Sequence, residues 1–340
     1  MSTLIVEVCR IDRVLPHPTA DRLELAHIKG WQCVVPKDKY AAGSLVTYVP
    51  IDSVLPADLS DRLGVTKYLS AGRVRCAKLR GEPSFGLIMD LEDPSWPEGT
   101  DVRERYGITK YVPPLCPSAG DAEAAHPLFV SYTDVENLRN FPGVLADGED
   151  VVATEKLHGT NCRVGVVEGE PMAGSMEVRR KRPADDAGLA TSTYWFPTTV
   201  PGVRSLLEEL SKSHRQVILF GEVFGSKVQN LHYGHVGRLG FAAFDLLVDG
   251  RYLDAAEFEA ACALYGVPTV PVVYQGPFSL GAVKAVSGGA TTFGGGAHIR
   301  EGVVVRPARE RTDPKVGRVI LKYLSDEYLF AKGITDSDDV

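Results

Sequence analysis

The string EKLHGTN, Glu155 to Asn161, follows the apolar run VVAT and brings a lysine, a histidine and a glycine together. Two readings fit it. In the first it is a surface turn: Gly159 relieves backbone crowding, Lys156 is solvated, and Thr160 and Asn161 supply turn hydrogen bonds. In the second Lys156 is a nucleophile, which requires burial or nearby positive charge to favour the neutral amine. The chain holds candidate partners for that role. RRKR, Arg179 to Arg182, and Lys322 in VILKYLS supply cations. Glu222 in LFGEVFG and Glu301 in IREGVVVRP are single acids at strand ends in apolar surroundings, where a carboxylate either is solvated or holds a ribose hydroxyl or a hydrated metal ion. Phe244, in FAAFDLL, reads in isolation as core.

Positioning these groups takes a scaffold of some size. The chain has 340 residues, 44% hydrophobic and 24% charged, enough for a sizeable core and two domains. The N-terminal MSTLIVEVCRIDR meets charge too early for a signal-peptide core, and no apolar run approaches the roughly 20 residues of a membrane helix. A cytoplasmic protein with no membrane partner is expected. Six cysteines (Cys9, Cys33, Cys76, Cys116, Cys162, Cys262) lie far apart without a C-x-x-C pair, which argues against a disulfide framework or a zinc site and for buried thiols. The formal net charge is −7, yet residues 1–80 carry 12 Lys+Arg against 8 Asp+Glu, a local balance of +4. A local basic face for nucleic acid is therefore compatible with an acidic chain.

Up to about residue 110 the apolar runs are short and broken by Gly and Pro. LIVEVCRIDRVL, LELAHI, WQCVV, LVTYVPI and FGLIMDL predict about five strands of a small β-barrel, residues 1–111. YVPPLCPSAGDAEAAHP, within 112–127, reads as a linker. From 128 to 340, longer β runs (VVATEKL, CRVGVVE, QVILFGEVF, FAAFDLLV, EGVVVRP, RVILKYL) alternate with helical segments, predicting an α+β domain with mostly antiparallel sheet. PGVRSLLEEL has helical spacing, DAAEFEAACALYG has an Asp254 cap and a Gly266 stop, and Asp249-Gly250 marks a hairpin. GGATTFGGGA, near 288–297, reads as a flexible loop without the spacing of a phosphate-binding fingerprint.

The order Lys, Arg, Glu, Phe, Glu, Lys, with these local strings, resembles the covalent nucleotidyltransferase superfamily of RNA ligases, DNA ligases and RNA capping enzymes. The likeness is strongest to the RNA ligase 2-like branch. EKLHGTN matches its lysine motif, with His158 where DNA ligases and capping enzymes usually carry Asp; FGEVFG, FAAFD, EGVVVRP and VILKYLS match the motifs that follow, and VQNLHYG also looks like this branch. In front, HPTADRLELAHIKG resembles tRNA-binding OB-folds, and GITKYVPP looks like the junction in RNA ligases of the Deinococcus type, which carry an N-terminal OB domain. The resemblance implies an OB-like β-barrel followed by an antiparallel-sheet nucleotidyltransferase (ATP-grasp-like ligase) domain. Two departures stand out. The usual second lysine of the last motif is replaced by Leu324, and the arginine motif leaves Arg180 and Arg182 both eligible, strand alternation turning them to one side.

The same resemblance implies an ATP-dependent RNA ligase with Mg²⁺ as cofactor and Mn²⁺ as its alternative. Lys156 would attack ATP to form lysyl-AMP and release pyrophosphate; AMP would pass to an RNA 5′-phosphate; the neighbouring 3′-hydroxyl would then displace AMP. Lys322 and Arg180 or Arg182 would meet the α-phosphate, Glu222 the ribose and Phe244 the adenine face. Glu301 would help hold the metal, Glu155 and Asn161 would line the nucleotide site, and His158 would act in transfer to the nucleic acid. The partner expected is RNA with 3′-OH/5′-phosphate ends in a nicked duplex, mixed RNA/DNA ends being a further candidate. Two other classes share features of the chain. A DNA ligase or capping-type enzyme is disfavoured by His158 and by the 18 residues left after Lys322, too few for a C-terminal OB domain; a non-catalytic RNA-binding protein is disfavoured by the nearly full set of motif residues.

Overall fold

The computed structural model describes residues 3–112 and 120–330. Residues 113–119 of the expected linker, with Cys116, and residues 331–340 of the expected second domain lie outside the described residues. The chain forms two compact units. Residues 3–112, joined by Asn137–Pro142 and 329–330, make the first; residues 120–136 and Gly143–Tyr328 make the second.

The first unit is built from short antiparallel strands. Glu7–Arg10, Leu45–Val49 and Leu87–Met89 form one sheet, Arg13–Pro16, Leu23–Ile28 and Trp31–Pro36 a second, and Cys76–Leu79 with Glu82–Phe85 a hairpin. Val6, Val8, Val49, Leu55, Val74 and Met89 form a buried core with Leu59, Val102 and Ile108. The expected first strand, LIVEVCRIDRVL, is two strands in two sheets, broken at Ile11–Asp12. The hairpin was not legible in CAKLRGEPSF because its charges and Pro83 mask the alternation. Its turn is made by Arg80 and Gly81, both at positive φ (52° and 101°).

The second unit carries two large antiparallel sheets and a short hairpin, Thr312–Asp313 with Gly317–Arg318. In one, the strand Asp150–Lys156 lies between Val272–Pro277 and Gly302–Pro307, and Leu321–Leu324 pairs with the far side of the latter. The other runs in the order Arg179–Arg180, Glu170–Gly174, Thr160–Val167, Gln216–Phe224, Gly240–Val248, Arg251–Tyr252. Alternation along Gln216–Phe224 divides its side chains between two cores. Val217, Leu219 and Val223 join Val203, Leu206, Leu207, Phe258 and Cys262 of the helices Pro201–Leu210 and Ala255–Tyr265. Ile218 and Phe220 point the other way, where Val304 of the first sheet and Ile320, just before its strand Leu321–Leu324, meet them. The two sheets therefore face each other across one apolar layer.

The helix Ala255–Tyr265 starts on the expected cap, Asp254, in a capping box with Glu257, and stops at Gly266, which takes φ 69°. Asp249 and Gly250, at φ 47° and 83°, close the hairpin between Gly240–Val248 and Arg251–Tyr252. Among the described residues the five cysteines are free thiols; Cys9, Cys33, Cys162 and Cys262 are buried as expected, and Cys76 is only partly covered.

Candidate active site

Lys156 is the last residue of its strand, and Thr160 opens a strand of the opposite sheet. Leu157, His158 and Gly159 thus carry the chain from one sheet to the other. Gly159 is required by close approach, since a β-carbon there would lie 2.2 Å from the Val223 carbonyl oxygen. Cross-strand pairing fixes what shares the face with the lysine. Thr154, Val304 and Lys322 form one row, and Lys156, Gly302 and Leu324 form the next row on the same face. Because Val304 packs on the second sheet, Lys156 and Lys322 both point into the layer between the sheets.

The Lys156 ammonium is ion-paired with Glu301, whose side chain is fully buried while that of Lys156 is 22% exposed. Lys322 is partly buried on the same face, and among the described residues no acceptor is hydrogen-bonded or ion-paired to it. Leu324, in the row of Lys156, is buried at 1% exposure, so this departure from the motif fills its place with hydrocarbon. From the opposite sheet, Glu222 lies on the Ile218–Phe220 side of its strand and pairs directly with Asn161. The Asn161 side-chain oxygen is buried and has no hydrogen-bond partner among the described residues. A buried amide left in that state marks room for a ligand group.

Phe244 reaches the same layer through an irregularity. Phe220 pairs with Asp245 but Gly221 pairs with Ala243, so Phe244 is an extra residue, a β-bulge. Both Phe244 and Asp245 consequently face the first sheet. Phe244 packs on Tyr132 with ring centroids 5.0 Å apart, so it is partly the core residue that its composition suggests. Asp245, fully buried, accepts hydrogen bonds from Tyr132 Oη at 2.8 Å and Arg306 at 3.1 Å and is ion-paired with Arg318 at 2.6 Å. Burial, with the Asp245 carboxylate next, pushes the Tyr132 hydroxyl well above its ordinary pKa and keeps it a donor.

His158 is buried at 2% exposure behind the lysine. Its Nδ1 lies 3.1 Å from Tyr328 Oη and 3.5 Å from Glu301, and its backbone N–H donates to Tyr233 Oη at 2.9 Å. Burial raises the Tyr233 hydroxyl, and the Glu301 carboxylate adds to that. Glu155 points to the opposite face of the strand. It accepts hydrogen bonds from Thr291 Oγ1, from Thr292 N at 2.9 Å and Oγ1 at 2.8 Å, and from Arg300 Nε at 3.3 Å. GGATTFGGGA is thus tied to the site strand through Glu155, which a run of glycine and threonine gave no sign of.

RRKR lies elsewhere in the sheet. Arg179–Arg180 form its edge strand, two strands from Thr160–Val167. Arg180 pairs with Asp121 at 2.6 Å and lies over Tyr194, while Arg182 lies over Trp195. Arg182 falls outside the two-residue strand, so the expected alternation of Arg180 and Arg182 does not apply. The backbone explains why: Trp195 Nε1 donates to the Arg180 carbonyl, and Pro183 follows. Among the described residues no group of three or more His, Cys, Asp or Glu is placed to hold a metal ion.

The stretch bearing these residues identifies the class of protein. The RNA ligase family model matches residues 149–324, just over half of the chain, and the chain belongs to that family. An OB-fold domain model matches residues 5–91. Among solved structures the chain is similar to Naegleria gruberi RNA ligase. A mutant with AMP and Mn, and the ligase with PPi, each give a TM-score of 0.77 at 24% identity over 96% of this chain and 98% of that one. A mutant with ATP and Mn gives 0.78 at 23% identity, with the same coverage. At these identities the likeness is one of fold. Comparison with curated proteins gives no match.

Proposed function

We propose that the chain is an ATP-dependent RNA ligase whose nucleophile is Lys156. The observation that carries this reading is one face of one sheet: Lys156, ion-paired with a buried carboxylate, stands one row from Lys322, a partly buried cation to which no acceptor among the described residues is bonded. A cation held in that state is suited to a phosphate. Attack on the α-phosphorus of ATP needs the neutral amine, and Glu301 is the group in contact with Nζ that can take its proton. A P–N bond forms as pyrophosphate leaves. In the next step that bond breaks, the phosphorus joins an oxygen of the RNA 5′-phosphate, and Lys156 leaves as the amine, regaining a proton. The 3′-hydroxyl then displaces AMP.

Glu222 and Asn161, paired across strands, would take the ribose, and Phe244 the adenine face. Arg180 or Arg182 is the arginine proposed for the phosphates, and reaching them from the sheet edge requires release of contacts such as Arg180–Asp121. Glu155 contributes by anchoring the site strand. A Mg²⁺ ion fits this donor set, because it is commonly held through one or two carboxylates plus substrate phosphates rather than a protein cage. Glu301 would hold it, directly or through water, and the ion would neutralise phosphate charge. The Naegleria ligase structures with ATP, AMP and Mn support the nucleotide and the metal class. We assign the first unit to gripping RNA with 3′-OH and 5′-phosphate ends at a nick.

Incubation with labelled ATP or GTP and Mg²⁺, followed by a denaturing gel, tests this. Covalent label from ATP but not GTP, absent in Lys156→Ala, is expected. Label from GTP alone would point to capping chemistry, and no label would point to a non-catalytic binding protein.

A further inference from the structure

We propose that Tyr328 is a positioning residue for His158, and that it serves the transfer of AMP to RNA more than the adenylation of the lysine. This rests on the ligase reading above and goes beyond it, because Tyr328 lies past the last motif of the site.

Tyr328 has no solvent exposure, and its hydroxyl lies 3.1 Å from His158 Nδ1 with the rings edge to face at 5.8 Å. Whichever group carries the shared proton, this bond fixes the rotation of the imidazole and hence the direction of its other nitrogen. The backbone of His158 is held separately, by Tyr233 Oη on its N–H. One tyrosine therefore fixes the main chain of the turn and the other the ring. Tyr328 is itself anchored to the site. Its N–H donates to Ser325 Oγ at 3.1 Å, Ser325 Oγ donates to the Arg300 carbonyl at 2.9 Å, and the Ser325 N–H donates to the Glu301 carbonyl at 2.9 Å. The segment from Lys322 to Tyr328 thus ties the phosphate cation, the Glu301 backbone and the His158 ring into one piece.

The division between steps follows from the contacts. Lys156 is oriented by Glu301, which Tyr328 does not replace, whereas the ring of His158 has Tyr328 as its nearest orienting hydroxyl. Loss of one oxygen should leave the lysine with its carboxylate and remove from the imidazole the shorter of its two Nδ1 contacts, Glu301 at 3.5 Å being the other. A small misplacement of a reacting group is costly in rate.

The test is single-turnover kinetics on full-length Tyr328→Phe, His158→Ala and the double variant, with lysine adenylation by ATP and sealing of a nicked RNA duplex by pre-adenylated enzyme measured separately. Tyr328→Phe should slow sealing about 10-fold more than it slows adenylation, and should add less than about 2-fold to the sealing defect of His158→Ala. Equal loss in both steps, or a full additional loss on top of His158→Ala, would mean that Tyr328 only supports the fold; sealing at the wild-type rate would also overturn the proposal. A thermal melt of Tyr328→Phe accompanies the kinetics, and the cycle with His158→Ala separates misplacement from lost stability. A label that survives in Lys156→Ala would instead strike at the ligase reading itself, and it appears in a different assay.

Discussion

A lysine paired with a fully buried carboxylate is held in one place, and that is what a nucleophile needs before its substrate arrives. Glu301→Ala should therefore lower ligation strongly, by about 100-fold or more, as should Glu222→Ala if it holds the ribose. Stopped ligation assays on a nicked duplex check both, and normal sealing by the two variants would defeat the site. Lys322 has no neighbouring lysine to share its role, because Leu324 is in the core. Lys322→Ala should be close to null in adenylation; substantial residual adduct would give the phosphate contact to an arginine of 179–182. These residues were legible because their local strings were. What the strings could not reveal were the partners: Tyr328 and Tyr233 around His158, and the Thr291–Thr292–Arg300 set around Glu155, all brought in from distant parts of the chain.

The long strands of the second unit and the helices Pro201–Leu210 and Ala255–Tyr265 were legible from their periods, but the helix Leu280–Ser287 and the bulge that turns both Phe244 and Asp245 into the layer between the sheets were not. The bulge arises from pairing, which a period-2 pattern does not record. Asp245 lies on the Gly240–Val248 strand and Arg306 on the Gly302–Pro307 strand, so their buried ion pair fastens one sheet to the other beside Phe244. Asp245→Ala removes one of the two carboxylates that the interior Arg306 and Arg318 share, Glu310 being the other, and should cost about 1.5–3 kcal/mol. Urea denaturation measures this, and a change below about 1 kcal/mol would show the sheets to be held by apolar contact alone. Phe244→Ala should weaken ATP binding and stability together, since its ring is packed on Tyr132. Opposite Lys156, a β-carbon at Gly302 would lie 2.3 Å from the Tyr323 carbonyl oxygen. Gly302→Ala should thus force the two strands apart and lower stability by about 1–3 kcal/mol.

At the scale of the whole chain, the two-part division was legible from the change in run length near residue 110, whereas the path between the parts was not. Residues 121–123 pair with Arg179–Lys181, and Asn137–Pro142 belongs to the first unit, where Asn140 accepts from Trp31 Nε1 at 3.1 Å. Small polar residues and alanine carry no signal of such pairing. A chain beginning at Gly120 should still form the enzyme adduct but seal nicks poorly, while one beginning at Pro127 also loses the Asp121–Arg180 pair and should be less stable. Full-length protein should lose sealing more steeply than adenylation as salt rises, because only sealing depends on RNA phosphate contacts. Equal sealing by the truncated and intact proteins would reduce the first unit to a scaffold. The central claim, that Lys156 carries the nucleotide, is tested most directly by the mass of the intact chain after incubation with ATP and Mg²⁺, followed by peptide mapping. The account predicts the addition of one AMP, located on Lys156; an adduct on any other residue, or an unchanged mass in active protein, would contradict it.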